Sequence, residues 1–188
     1  MNIRSLLILI LVIFNIGLDQ ISKGIVRETV IPGSRTELLG KQLQLMNVEN
    51  SGAFLGMGSD LNDTTKLIFL LILPTLVLGY LMYYILKTKT LDKLSLIGLC
   101  CIAGGGIANV FDRYVYGSVT DFFYIEITEL LRTGIFNLAD LSVTSGMVLL
   151  LIGSFKAKNC VEGRKQLVKF AKENNLNYDV CGKIVVAI

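Results

Sequence analysis

Four apolar stretches constrain this chain more than anything else in it. They run from Ser5 to about Val26, Thr65 to Leu86, Leu94 to about Phe111, and Asn137 to Phe155. Each is long enough, or nearly so, to cross a hydrocarbon core of about 30 Å as a helix. A hydrophobic share of 53% in 188 residues agrees, because a soluble domain of this length needs more polar surface. The first stretch lacks a clear small-x-small cleavage site, and the other spans follow it, so it reads as a helix and not as a removable leader. The class expected is therefore an all-α membrane protein with four transmembrane helices.

Lys and Arg set the expected orientation. Arg4 precedes the first span, Lys87, Lys89 and Lys93 separate the second and third, and Lys156, Lys158, Arg164 and Lys165 follow the fourth. The positive-inside rule puts these on the cytoplasmic side, with both termini inside and Arg27–Thr64 and Tyr114–Phe136 outside. Within the first outer segment, Thr29–Met57 reads as strands and turns, since QLQLMNV alternates like a half-exposed strand. Gly117–Asp121 reads as a short extended return toward the membrane. Pro74 is expected to kink the second span, which otherwise reads as scaffold. Residues 1–158 form the membrane domain, with the β-cradle at about 29–58. Residues 159–188 form a cytoplasmic extension whose segment VEGRKQLVKFAKEN has the pattern of an amphipathic surface helix.

Polar residues then break the apolar pattern at one level. At about 1.5 Å per residue, Asp19 lies about 22 Å along its helix from Arg4. Asn109 and Asp140 lie about 24 Å from Lys93 and Lys156. Three helices thus carry polar groups to the same depth in the outer half of the bilayer, where an unpaired carboxylate is costly. Lys23 stands at i+4 from Asp19 and can neutralise it. Asp112 with Arg113 reads most simply as a salt bridge, although Arg113 could equally offer its fork of donors to a carbonyl or phosphate.

The chain contains no His, which excludes a Ser-His-Asp or Cys-His arrangement and removes the commonest metal ligand. The four cysteines have no metal-binding spacing, so neither a metal nor another cofactor is expected. The net charge of +3 is small and scattered, and makes no case for nucleic acid. What remains is a carboxylate pair. Two aspartates in a poorly hydrated site cannot both ionise cheaply, so one keeps its proton and the pair titrates as a unit. Such a pair suits hydrolysis of a peptide bond by an activated water. The candidates are Asp19, Asp112, Asp121 and Asp140. The first two each have a neighbouring cation, which leaves Asp121 and Asp140 as the better pair. The alternative is a small transporter that uses the carboxylates as a proton or ion path.

Five motifs resemble the bacterial lipoprotein signal peptidases, the type II signal peptidase family. They are DQISK at Asp19, Asn-x-Gly at Asn50–Gly52, GGGIANVFDR at Gly104–Arg113, GSVTD at Gly117–Asp121 and FNLAD at Phe136–Asp140. They stand in the family's order across roughly residues 5 to 156. The resemblance implies an intramembrane aspartyl endopeptidase of the bacterial inner membrane, with Asp121 and Asp140 as catalytic pair. It implies that Asn50, Asn109, Arg113 and Asn137 position substrate or support the aspartates, and that Asp19, Lys23 and Asp112 are structural. It also implies an extracellular β-cradle, a monomer among membrane lipids, and a diacylglyceryl-modified prolipoprotein as substrate, cut just before the lipidated cysteine. Two positions depart from the pattern. Glu49 stands where the family often has a basic residue, and Ala108 replaces a glycine.

Overall fold

The structure, a computed structural model, describes residues 2–53, 57–128, 131–174 and 176. Four long helices, α1 (Ile3–Thr29), α2 (Asp63–Lys87), α3 (Lys93–Tyr116) and α4 (Leu138–Glu173), are each long and apolar enough to span a membrane. The protein is therefore a multi-pass membrane protein. Large apolar side chains such as Ile10, Phe14, Leu76 and Val77 point away from the bundle, as lipid-facing residues do. Helix starts are set by short polar caps: Asn2, Asn62 and Asp92 accept backbone N–H groups from the first turns of α1, α2 and α3. At the opposite end of α2, Arg4 donates to the carbonyls of Ile85 and Thr88, which the helix terminus would otherwise leave open.

Helix α3 packs against all three other helices, and its three consecutive glycines explain how. Successive positions on a helix are turned by about 100°, so the run addresses three directions at once. A Cβ on Gly104 would strike Asn15 of α1, one on Gly105 the Ala139 carbonyl of α4, and one on Gly106 the Leu78 side chain of α2. Gly98 and Gly146 similarly face each other's carbonyls across α3 and α4. This is the close approach that small residues permit in lipid.

Helix α2 does not simply kink at Pro74. Its stretch Leu67–Ile72 widens into a π turn, and the Leu73 N–H reaches back five residues to the Ile68 carbonyl. Proline lacks an N–H and crowds the carbonyl four residues back, so the helix accommodates it by adding a residue to the turn. The widened stretch faces the interior cavity described below, so α2 is a wall of the site as well as scaffold.

One end of the bundle carries a four-stranded antiparallel sheet in the order β1 (Arg35–Leu39), β2 (Leu43–Asn50), β3 (Val119–Thr128), β4 (Leu131–Arg132). The expected cradle at 29–58 supplies only half of it. Gly117–Asp121 is extended from Val119 onward, as expected, but it is not short: Gly117 ends α3 in a left-handed conformation (φ 76°), and the chain enters a ten-residue strand. That strand is rich in β-branched and aromatic residues, which favour a half-buried pleated surface. Its register against β2 pairs Val48 with Asp121 and Asn50 with Val119. Phe122 and Val119, 1% and 2% exposed, anchor β3 in the bundle. Helix α4 runs without interruption through the expected boundary at 158/159, and the amphipathic segment is its continuation. The last segment, VCGKIVVAI, lies outside the described residues.

Candidate active site

Asp140 sits in the first turn of α4, where Asn137 caps the helix. The Asn137 side chain accepts the Asp140 N–H at 2.9 Å, and the Asp140 carboxylate accepts the Asn137 N–H at 3.3 Å. This reciprocal box fixes both side chains, and the helix N-terminus favours negative charge there. Asp121 arrives on β3 and is 4% exposed. The amide of Asn137 donates to one of its oxygens at 2.7 Å and the amide of Asn50 to the other at 2.9 Å. Asn109 of α3 donates to Asp140 at 2.9 Å. Three asparagines from β2, α3 and the start of α4 therefore direct amide N–H groups at two aspartates.

The remaining buried carboxylates have a different environment. Lys23 is completely buried, and its ammonium lies 2.7 Å from Asp19 and 2.8 Å from Asp112. Arg27 adds a second cation to Asp112 at 3.3 Å, donates to Thr120 on β3 at 2.7 Å and stacks on the Tyr116 ring. The expected Asp112–Arg113 salt bridge is thus not formed. Adjacent helix residues point about 100° apart, and Asp112 faces α1 instead. Arg113 turns toward the cavity and donates to the Gly52 carbonyl at 2.8 Å, the carbonyl role left open for it. The Asp19–Lys23 pair is present at its i, i+4 spacing.

The two groups are joined at Asn109. Lys23 donates to its side-chain oxygen at 2.8 Å, which leaves its amide nitrogen for Asp140. Asp19 reaches the same turn of α4 by accepting the Ala139 N–H at 2.8 Å. Gln20 donates to Asp112 at 2.9 Å. The sequence pattern does not single out Gln20, Arg27 or Thr120. Gln20 and Arg27 lie one and four residues from the charged ends of the DQISK motif, and that proximity is the only signal for them.

Asp121, Asp140, Asn50, Asn109 and Arg113 open on one cavity of about 460 Å³. Its far wall is apolar, built from Phe69, Leu70 and Pro74 of α2 and from Val143 and Met147 of α4. An apolar wall beside two carboxylates is what a site needs to hold an apolar chain next to an activated water. Burial, reinforced by the charge of Asp140, pushes the Asp121 carboxyl up to about 6, against the opposing hydrogen bonds from Asn50 and Asn137.

A raised carboxyl pKa has a defined consequence for stability. The favourable contribution is present in full below the unfolded-state value near 4 and is lost as pH rises through about 6. Asp121→Asn removes the titration. The stability of that variant relative to the native protein is therefore expected to rise by about 2 kcal/mol between pH 4 and pH 7. Thermal unfolding of both proteins in detergent across that range measures it. A difference that stays flat with pH would remove the titrating carboxyl from this reading.

Comparison with known proteins agrees with this architecture. The family described as signal peptidase (SPase) II matches residues 10–156. The lipoprotein signal peptidase of Borrelia hermsii (strain HS1 / DAH) is 31% identical over 162 residues, covering 84% of this chain and 92% of its own. That of Bartonella bacilliformis (strain ATCC 35685 / KC583 / Herrer 020/F12,63) is 32% identical over 157 residues, covering 82% and 92%. Among solved structures, a bacterial membrane enzyme determined by the in meso method at 2.3 Å resolution superposes with a TM-score of 0.70. It shares 27% identity and covers 80% of this chain and 88% of its own.

Proposed function

We propose, from the premise that this chain belongs to the signal peptidase II family, that it removes signal peptides from diacylglyceryl-modified prolipoproteins by aspartyl-dyad hydrolysis. The observation that carries this reading is the contrast between two pairs of carboxylates. Asp19 and Asp112 share a buried ammonium, whereas Asp121 and Asp140 are held by neutral amides and open on the cavity. The first pair is enclosed around its cation and does not line the cavity, whereas the second pair lines it, where a water and a peptide carbonyl can reach both carboxylates.

In this reading a water bound between the dyad loses a proton to the ionised carboxylate and attacks the carbonyl carbon of the scissile bond. The protonated partner polarises the carbonyl oxygen. Collapse of the tetrahedral intermediate breaks the C–N bond, and a dyad proton passes to the departing amine of the cysteine. Asn50, Asn109 and Asn137 hold the carboxylates in place, and Arg113 orders the Gly52 carbonyl at the cavity edge. The apolar wall receives the signal peptide, whose central region is itself apolar. The Lys and Arg distribution supports an inner-membrane orientation with both termini in the cytoplasm, the dyad toward the outer face and residues 159–188 as a cytoplasmic extension.

A proton or ion path is less consistent with the interior. Among the described residues every buried charged side chain, Asp19, Lys23, Asp112 and Asp121, belongs to the polar level or the site, and the cluster beyond it is Ile8, Val12, Ile85, Leu96, Cys100 and Ala103. The deciding experiment incubates purified protein with diacylglyceryl-modified and unmodified precursors. Cleavage before the cysteine in the modified precursor alone is expected, and equal cleavage of both would contradict the lipid-dependent reading.

A further inference from the structure

A second cavity, of about 240 Å³, lies on the other side of Asn50 and Asp121. These two residues line both cavities, so a chain whose scissile bond sits at Asp121 has one space on each side of it. The two spaces differ in their surroundings. The first is walled by Phe69, Leu70 and Met147 of the membrane-spanning helices, whereas the second is lined by Val48 and Glu49 of β2 and by Ser51, Ser59, Gly134 and Ile135 of the connecting segments outside the helices. A prolipoprotein has the same asymmetry. Its signal peptide lies in the membrane, while the segment after the cysteine leads out of it. Matching like to like places the residues that follow the cysteine in the second cavity.

Glu49 is the one charged side chain lining that cavity besides Asp121. It is exposed, yet its position is set, because Ser118 and Thr120 donate to its two oxygens and Arg27 in turn donates to Thr120. Two hydrogen bonds leave a carboxylate with acceptor capacity and with its full charge. No Lys or Arg forms an ion pair with it among the described residues. A fixed anion with no direct ion-pair partner beside a binding cleft discriminates by charge, favouring cationic and rejecting anionic residues.

We infer that the second cavity binds the first residues of the mature lipoprotein and that Glu49 selects for a basic side chain just after the lipidated cysteine. This rests on the peptidase reading above and adds a specificity to it. The test uses three diacylglyceryl-modified precursors that carry Lys, Gln or Glu immediately after the cysteine. For the native enzyme kcat/KM is expected to fall in the order Lys, Gln, Glu, with the Lys and Glu precursors separated by roughly three- to tenfold. The separation is expected to shrink as salt is raised from about 0.05 to about 0.5 M. In Glu49→Gln the Lys-to-Glu ratio is expected to approach one, and in Glu49→Lys to invert. The ratio is insensitive to any general loss of activity in the variants, and the salt series needs no variant at all. A native ratio near one, or one unchanged in Glu49→Gln, overturns the specificity while leaving the peptidase reading intact. If no modified precursor is cut, the peptidase reading fails and the inference falls with it.

Discussion

Asp121→Asn and Asp140→Asn are each expected to lower cleavage of a lipidated precursor by about a thousandfold or more, with the protein still inserted and folded. The size follows from the division of labour in a dyad. General acid and general base steps contribute about 10²–10⁴-fold each, and one carboxylate cannot perform both. The pair acts as a unit, so the double variant is expected to be little worse than either single one. The substitutions conserve shape. In Asp140→Asn the new side chain still sits in the first turn of α4 and can keep the cap with Asn137 through its carbonyl. In Asp121→Asn the new NH2 faces the donor of either Asn50 or Asn137, so one of those two hydrogen bonds is lost. The comparison is turnover of precursor against thermal unfolding of the same preparations. More than a tenth of native activity in either single variant would take that residue out of the chemistry.

Much of the scaffold is legible in the sequence because lipid imposes a simple rule. Runs such as LLILILVIF and LIFLLILPTLVL have one stable arrangement at that length, and the four spans fall where those runs do. The Asp19–Lys23 pair is equally direct, since helical spacing alone brings its members together. The sheet is harder, because β3 pairs with a strand about 70 residues earlier and nothing local marks the partner. Its first residues, Val119–Asp121, read as a short return because they precede the aromatic run that in fact continues the strand. Asp112 shows the same limit at the site. Its sequence neighbour Arg113 is the obvious cation, but helix geometry turns that side chain away, and the true partners come from α1. Depth along each helix is readable from the residue count; azimuth around it is not. Depth is enough to assemble Asp19, Asn109 and Asp140 at one level, and only the packing of α1 on α3 decides which amide meets which carboxylate.

Lys23→Met is expected to have the largest effect on stability of any single change. The side chain is fully buried and its ammonium neutralises Asp19 and Asp112 together. Met fills similar volume and leaves two buried carboxylates with only Arg27 beside one of them. Removing one member of a buried ion pair costs about 3–5 kcal/mol, most of it for the stranded charge. Folded protein recovered from membranes should fall accordingly. Adding Asp19→Asn to Lys23→Met removes one stranded charge and is expected to restore a large part of that loss, since residues in one network are not additive. Activity should not return with it. In the native protein Lys23 also donates to the Asn109 side-chain oxygen, and this charged hydrogen bond keeps the amide nitrogen aimed at Asp140. Without it only the longer donation from Asn137, at 3.2 Å, holds that oxygen, and the Asn109 amide can flip and set its carbonyl oxygen against the carboxylate. The double variant should therefore fold better than Lys23→Met and still cleave precursor at least about tenfold more slowly than the native enzyme per folded molecule. Activity that recovers in step with stability would confine Lys23 to a structural role. Activity that stays low in a refolded protein would place it in the chain of contacts that orients the dyad.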